Sequence, residues 1–256
     1  MIEDPEREKV LLLIKHWLNF RKHDVVLDIG CGDVFFCKSV AAEVPSANVI
    51  GCDIQKKRVV HTANLTYLMC DAQHLPFRGN SIDKIIVNHV LEHLPSGKLA
   101  FDEISRVLIV GGRAFIATPN SYEDMLKLFR PLAHRVDELE GHIKHFSMDE
   151  FRKMSMKRRV KILHHHYAGF FGLFFYYSLL YFIFKPLAGR SSTTGSHRLT
   201  ESNLGRSYIF QNFLLPLGIA ILSVLGRFDD MFKNWSKGMG IHLVVSKNAR
   251  VHQFNS

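Results

Sequence analysis

Short β-branched runs alternate with helix-patterned segments over residues 24–119, and this alternation constrains the fold more than anything else in the chain. "DVVLDIG" (24–30) is short, rich in valine and isoleucine and closed by glycine, the pattern of a buried strand. "VFFCKSVAAEV" (34–44) reads as the helix that follows. Further strands are expected at 47–54, 66–72, 81–90 and 111–119, with a helix at 99–108 before the last of them. An amphipathic helix precedes the set at 6–20, a sixth strand is expected at 157–167, and 238–248 returns to strand character. Such alternation requires a mostly parallel sheet with helices on both faces, whose ligands lie beyond the carboxyl ends of the strands.

The turn after the first strand, "LDIGCGDVFF", places Gly30 and Gly32 where a ligand can approach the backbone and where the next helix offers its N–H groups. A dinucleotide fingerprint would need glycine at position 35, and Phe35 stands there. Acidic or polar residues recur at the strand ends: Asp28, then Asp53, Asp71, and Asn88 with His89. Asp53 lies 23 residues beyond Gly30, near the offset of about 20 at which an acid meets ribose hydroxyls.

The ordered stretches "LDIGCG", "VIGCDI", "CDAQHLPF", "NSIDKIIVNHVLEHLP", "ISRVLIVGGRAFIATPN" and "GHIKHFSMDEF" resemble class I S-adenosylmethionine-dependent methyltransferases, type 11 family. The resemblance covers 24–165 and extends to 239–247. It implies an α/β fold: a Rossmann-like, doubly wound, seven-stranded sheet with the last strand antiparallel. By position, Asp28, Gly30, Cys31 and Gly32 would form the turn under the methionine part of S-adenosylmethionine. Asp53 would accept the ribose hydroxyls, Ile54 would face the adenine, Asp71 and Ala72 would meet its edge, and Asn88 would border the methionine. His89, at the opening to the acceptor, is the candidate catalytic base, and His93, four residues on, would share a helical face with it. The family's third glycine is Val34 in this chain.

Two further groups of histidines lie outside this constellation. His142 and His145 in "GHIKHFS" lie within reach of an acceptor mouth, but His145 better suits ordering the loop before a helix begun by Ser147, with Glu150 closing a capping box. His164, His165 and His166 would point to alternate sides of a strand, so no metal site is expected. Cys31, Cys37, Cys52 and Cys70 form no CxxC pair and read as thiols of a reduced compartment. The charged opening "MIEDPEREK" lacks the character of a secretory leader.

Charge and hydropathy divide the chain. Residues 1–150 carry 18 Lys/Arg against 21 Asp/Glu, and residues 151–256 carry 15 against 3. Residues 168–184 form 17 positions without a charge and 207–226 a further 20, close to the length that spans hydrocarbon. Lys157, Arg158, Arg159 and Lys161 precede them, as expected at an anionic surface. A hydrophobic helical insertion before the last strand (168–237) is therefore expected to associate with a membrane, leaving 1–167 with 238–248 as the methyltransferase domain on its cytoplasmic face. A hairpin of two spans would translocate Lys185, Arg190, Arg198 and Arg206, so shallow insertion is favoured over crossing. The acceptor expected is a hydrophobic or lipid-linked small molecule. Nucleic acid is not, since "NHVLEH" replaces the N/D-P-P-Y/F motif of DNA amino-methyltransferases and no cysteine follows a proline. The alternative is a non-catalytic, membrane-associated scaffold that retains the fold.

Overall fold

A computed structural model describes residues 5–55, 61–169 and 238–248. The described backbone divides into two compact units: 5–9 with 120–145, 166–169 and 238–240, and 10–55 with 61–119, 146–165 and 241–248.

The chain runs α1 (Pro5–Leu18), β1 (Val25–Ile29), α2 (Phe35–Glu43), β2 (Asn48–Asp53), β3 (Leu65–Met69), β4 (Ile82–Asn88), α3 (Gly97–Val107) and β5 (Leu108–Pro119). It continues with α4 (Arg130–Glu140), α5 (Met148–Lys157), β6 (Val160–Ala168) and β7 (Gly240–Lys247). The seven strands form one sheet in the order β3-β2-β1-β4-β5-β7-β6. β1 pairs in parallel with β2 and β4, β2 with β3, and β4 with β5. The last strand runs against its neighbour: at one end of the β6–β7 pair Met239 N–H donates to Gly169 O, and at the other Asn248 N–H donates to Arg159 O. The doubly wound α/β sheet with an antiparallel last strand is thus as the sequence reads.

The central strands are apolar because both their faces are covered. Val26, Leu27 and Ile29 of β1 and Ile85, Ile86 and Val87 of β4 are all buried. One core joins Leu11, Ile14 and Leu18 of α1 and Phe36, Cys37 and Val40 of α2 to Val26, Val49, Ile86 and Phe115 of the sheet. A separate aromatic group ties α3 to α5, with Phe151 centred 6.2 Å from Phe101 and 5.5 Å from Phe146.

Helix α5 begins with the capping box expected from Ser147 and Glu150: Ser147 Oγ accepts from Glu150 N–H (3.1 Å) and Glu150 Oε2 from Ser147 N–H (3.0 Å). Helix α4 has no counterpart in the sequence reading. Pro131 falls in its first turn, where a missing N–H costs no bond, so the proline that obscures the pattern is compatible with the helix. One element of the basic cluster is corrected. Arg158 forms an ion pair with Asp102 and donates to Met154 O, whereas Lys157, Arg159 and Lys161 are exposed. Among the described residues no helix is long and apolar enough to cross a membrane, and both uncharged runs fall, but for Ala168 and Gly169, outside them.

Candidate active site

Four parallel strands bring their carboxyl ends to one edge of the second unit. A cleft of about 450 Å³ opens there, lined by Gly30 after β1, Asp53 and Ile54 of β2, Cys70 to Gln73 after β3, and His89, Val90 and His93 after β4. Gly30 has φ +67°, and a Cβ at this position would lie 2.4 Å from Val90 Cγ2. Both the backbone conformation and the close approach exclude a side chain.

Asp53 holds two turns together at the cleft wall. Its Oδ2 accepts from Gly32 N–H (3.1 Å) and its Oδ1 from Gln55 N–H (3.0 Å). Ile54 beside it is 67% exposed, an apolar surface at the mouth of a polar turn. Asp71 Oδ1 accepts from Gln73 N–H (2.8 Å), and this bond, aided by His74, holds the carboxyl below its usual range. Gln73, absent from the sequence reading, then accepts from Ser96 N–H (3.0 Å) and so ties the end of β3 to the segment before α3. Its only sequence signal is its place two residues after Asp71. Ala72 is buried in the cleft wall.

Other expected residues stand behind the lining. Asp28 is 1% exposed and its Oδ2 accepts from the Cys37 thiol (3.1 Å). Cys31 is buried, with its N–H donated to Cys52 O (3.0 Å). Asn88 closes β4, and its buried Oδ1 has no hydrogen-bond partner. The cysteines are free thiols: contact with Cys31 and burial push Cys37 up, and contact with Cys70 and burial push Cys52 up. The half-buried Cys70 is shifted down by the bond from Cys52.

Val34 is the β-branched residue among the described non-glycine positions with positive φ. It caps α2 at φ 61° and ψ 24°, the left-handed conformation, with its side chain 4% exposed. A β-branched residue there costs roughly 1–3 kcal/mol. The backbone keeps the glycine geometry although the residue is valine.

His89 is the polar feature that sequence spacing describes least well. Residues 91–93 make a single 3-10 turn and His89 precedes it at φ 54°, so His89 and His93 do not share a helical face. Instead His89 Nδ1 lies 2.8 Å from Glu92 Oε1, and Thr118 Oγ1 donates to Glu92 Oε2 (3.2 Å). Glu92 is fully buried while the His89 side chain is 52% exposed. Burial opposes ionisation of Glu92, but the hydrogen bond and charge of His89 outweigh it and the carboxyl falls below its usual range. A carboxylate accepts only, so it selects the Nδ1–H tautomer of a neutral His89 and puts the lone pair on Nε2.

Comparison with known proteins gives this geometry relatives. Residues 27–116 match the model of a methyltransferase domain. The chain is 28% identical over 109 residues to malonyl-[acyl-carrier protein] O-methyltransferase of Legionella pneumophila, covering 39% of this chain and 38% of that protein. It is 29% identical over 105 residues to demethylmenaquinone methyltransferase of Staphylococcus carnosus, covering 38% and 44%. The chain thus spans under half the length of these curated relatives. In fold it resembles YcgJ of Bacillus (TM-score 0.59, 17% identity, 95% of this chain and 100% of that one). It also resembles Haemonchus contortus phosphoethanolamine N-methyltransferase 2 in complex with S-adenosyl-L-methionine (TM-score 0.54, 15% identity, 94% and 53%). Together with the strand order and the glycine turn, these matches make residues 27–116 similar to the methyltransferase domain of the class I, S-adenosylmethionine-dependent, type 11 family.

Proposed function

We propose that this chain transfers the methyl group of S-adenosylmethionine to a hydrophobic or lipid-linked acceptor at the cytoplasmic face of a membrane. The observation that carries the reading is the cleft at four strand ends, with a fully buried glutamate holding an exposed histidine at its rim.

The residues present suit the cofactor. Gly30 leaves no side chain at the turn, and the unpartnered Asn88 Oδ1 is an acceptor suited to an ammonium group. Asp53 offers a carboxylate suited to a pair of ribose hydroxyls, and exposed Ile54 an apolar surface for adenine. Asp71, held ionised, and Ala72 suit the adenine edge; Asp28, Cys31 and Gly32 hold the turn from behind. When bound, S-adenosylmethionine supplies an electrophilic methyl group on a sulfonium. The chain's own contribution is alignment, worth up to roughly 7–11 kcal/mol in favourable cases, and a base. His89, oriented by Glu92, takes a proton at Nε2 from a hydroxyl or phenol acceptor, with the buried carboxylate stabilising the imidazolium.

The hydrophobic acceptor is supported by the two uncharged runs, by exposed Lys157, Arg159 and Lys161 ahead of them, and by relatives named for demethylmenaquinone and an acyl-carrier protein. In this reading 1–167 with 238–248 are the catalytic domain and 168–237 its membrane-associating insertion. The test is to incubate the full chain with methyl-labelled S-adenosylmethionine and a lipid extract, alongside flotation with anionic vesicles. Label in the organic phase and co-flotation are expected; a chain that remains in the aqueous fraction and leaves the extract unlabelled overturns the reading. A non-catalytic scaffold is the second reading, favoured by strained Val34 in the glycine turn. Calorimetry separates the two: no heat with S-adenosylmethionine favours the scaffold.

A further inference from the structure

Residues 120–145 hold a cluster of ligand-type side chains that the proposed reaction does not use. Asp137 stands in the last turn of α4, and Gly141 ends that helix at φ +75° with its N–H on Asp137 O (2.8 Å). His142 N–H reaches the same carbonyl (3.2 Å), so the chain folds back over the helix end. The turn sets His142 Nδ1 2.7 Å from Asp137 Oδ1, and His145 Nε2 lies 2.8 Å from that same oxygen. The three ligand atoms fall within 4.8 Å of one another, on side chains 9%, 7% and 17% exposed for His142, His145 and Asp137.

The far sides of the cluster are also engaged. His145 Nδ1 lies 2.8 Å from Asn120 O, a carbonyl that can only accept, so Nδ1 carries the proton. Between His145 Nε2 and Asp137 Oδ1, 2.8 Å apart, there is place for a proton or for a metal ion that displaces it, and His142 Nδ1 converges on the same oxygen. The Tyr122 hydroxyl donates to Asp137 Oδ2, and the Tyr122 ring stacks on His145 at 4.4 Å. A histidine whose second nitrogen donates to a backbone carbonyl, and a carboxylate whose second oxygen is hydrogen-bonded, are how metal ligands are oriented from behind.

We propose that Asp137 Oδ1, His142 Nδ1 and His145 Nε2 bind a divalent transition-metal ion of the zinc class, with the remaining coordination position open to water. Bound there, the ion links the end of α4 to residues 142–145 and, through His145, to Asn120. The sequence alone shows only D-x4-H-x2-H, which the helix end and its glycine convert into convergent ligands.

The test uses the full chain, stripped with chelator and dialysed against zinc alone, with bound metal counted and cobalt substitution read by visible absorption. One zinc per chain and ligand-field bands from a cobalt–histidine site are expected. Asp137→Asn and His145→Gln should abolish both. Tyr122→Phe keeps every ligand and should weaken zinc about 10–100-fold, the range for losing an outer partner. His134→Gln removes a ring stacked 4.1 Å from Tyr122 but no ligand, and should leave stoichiometry unchanged. A wild-type chain that takes up no zinc, or zinc uptake unaltered in Asp137→Asn, overturns the proposal. If the variants fail to fold, a wild-type cobalt spectrum without histidine-ligand bands overturns it equally.

Discussion

Two regions of this molecule set a carboxylate against imidazole, and they differ in what is left exposed. At the cleft, fully buried Glu92 grips one histidine whose ring is half in solvent. In residues 120–145, Asp137 meets two histidines that are nearly sealed from water, with Tyr122 on its other oxygen. Both carboxyls are held below their usual range by histidine hydrogen bonds despite burial. The chemistry of the pair is therefore the same, and access separates the roles. An exposed ring held by a buried acid suits proton transfer to an incoming group. Rings buried against one oxygen suit holding structure or an ion.

The largest expected effect sharpens that contrast at the cleft. His89→Gln should lower the methyl-transfer rate by roughly 10²–10⁴-fold, the range for a lost general base, while S-adenosylhomocysteine affinity stays near wild type. Equal losses of rate and of affinity would instead make His89 part of the cofactor wall. Next is Asp53→Ala, which removes a carboxylate holding two backbone N–H groups. At about 1.5–3 kcal/mol for hydrogen bonds to a charged group, S-adenosylhomocysteine should bind roughly 10–150-fold more weakly by calorimetry.

Glu92 makes a smaller, pH-dependent contribution. Its folded carboxyl is shifted down from the ordinary 4.5, so its stabilisation is complete above that value and fades as pH falls through the folded one. Urea midpoints measured from about pH 6 to about pH 3 should show a shallower acid limb in Glu92→Gln than in wild type. An unchanged limb would mean that Glu92 is protonated in the folded chain. The smallest effect is that of Val34→Gly. Relief of roughly 1–3 kcal/mol of left-handed strain opposes the loss of about 1.5–3 kcal/mol of buried valine. Thermal unfolding should therefore move little, and a large loss would show that the turn tolerates valine without strain.

Much of the fold was legible because its signals are local. Strand β1 is a buried, β-branched run ended by glycine, β4 a mostly buried one ended by asparagine, and the α5 capping box is complete within four residues. The cleft was legible for the same reason: Gly30, Asp53, Ile54, Asp71 and Ala72 each sit at the end of a strand whose limits the sequence marks. What sequence spacing did not convey depends on backbone departures. His89 leaves its strand at positive φ, so the i,i+4 relation to His93 lapses and Glu92 takes the contact. Asp28 turns inward to Cys37 because alternation along β1 points it under α2.

The amino-acid order by itself therefore determined the alternating elements, the glycine turn and the acids at the strand ends, since hydrophobic period and turn chemistry act over a few residues. Tertiary structure alone decided that Thr118 would secure Glu92 from 26 residues away and that Asp137 would gather His142 and His145 at the end of a helix. Such meetings depend on how separate elements pack, and the order of residues in the chain does not display that distance.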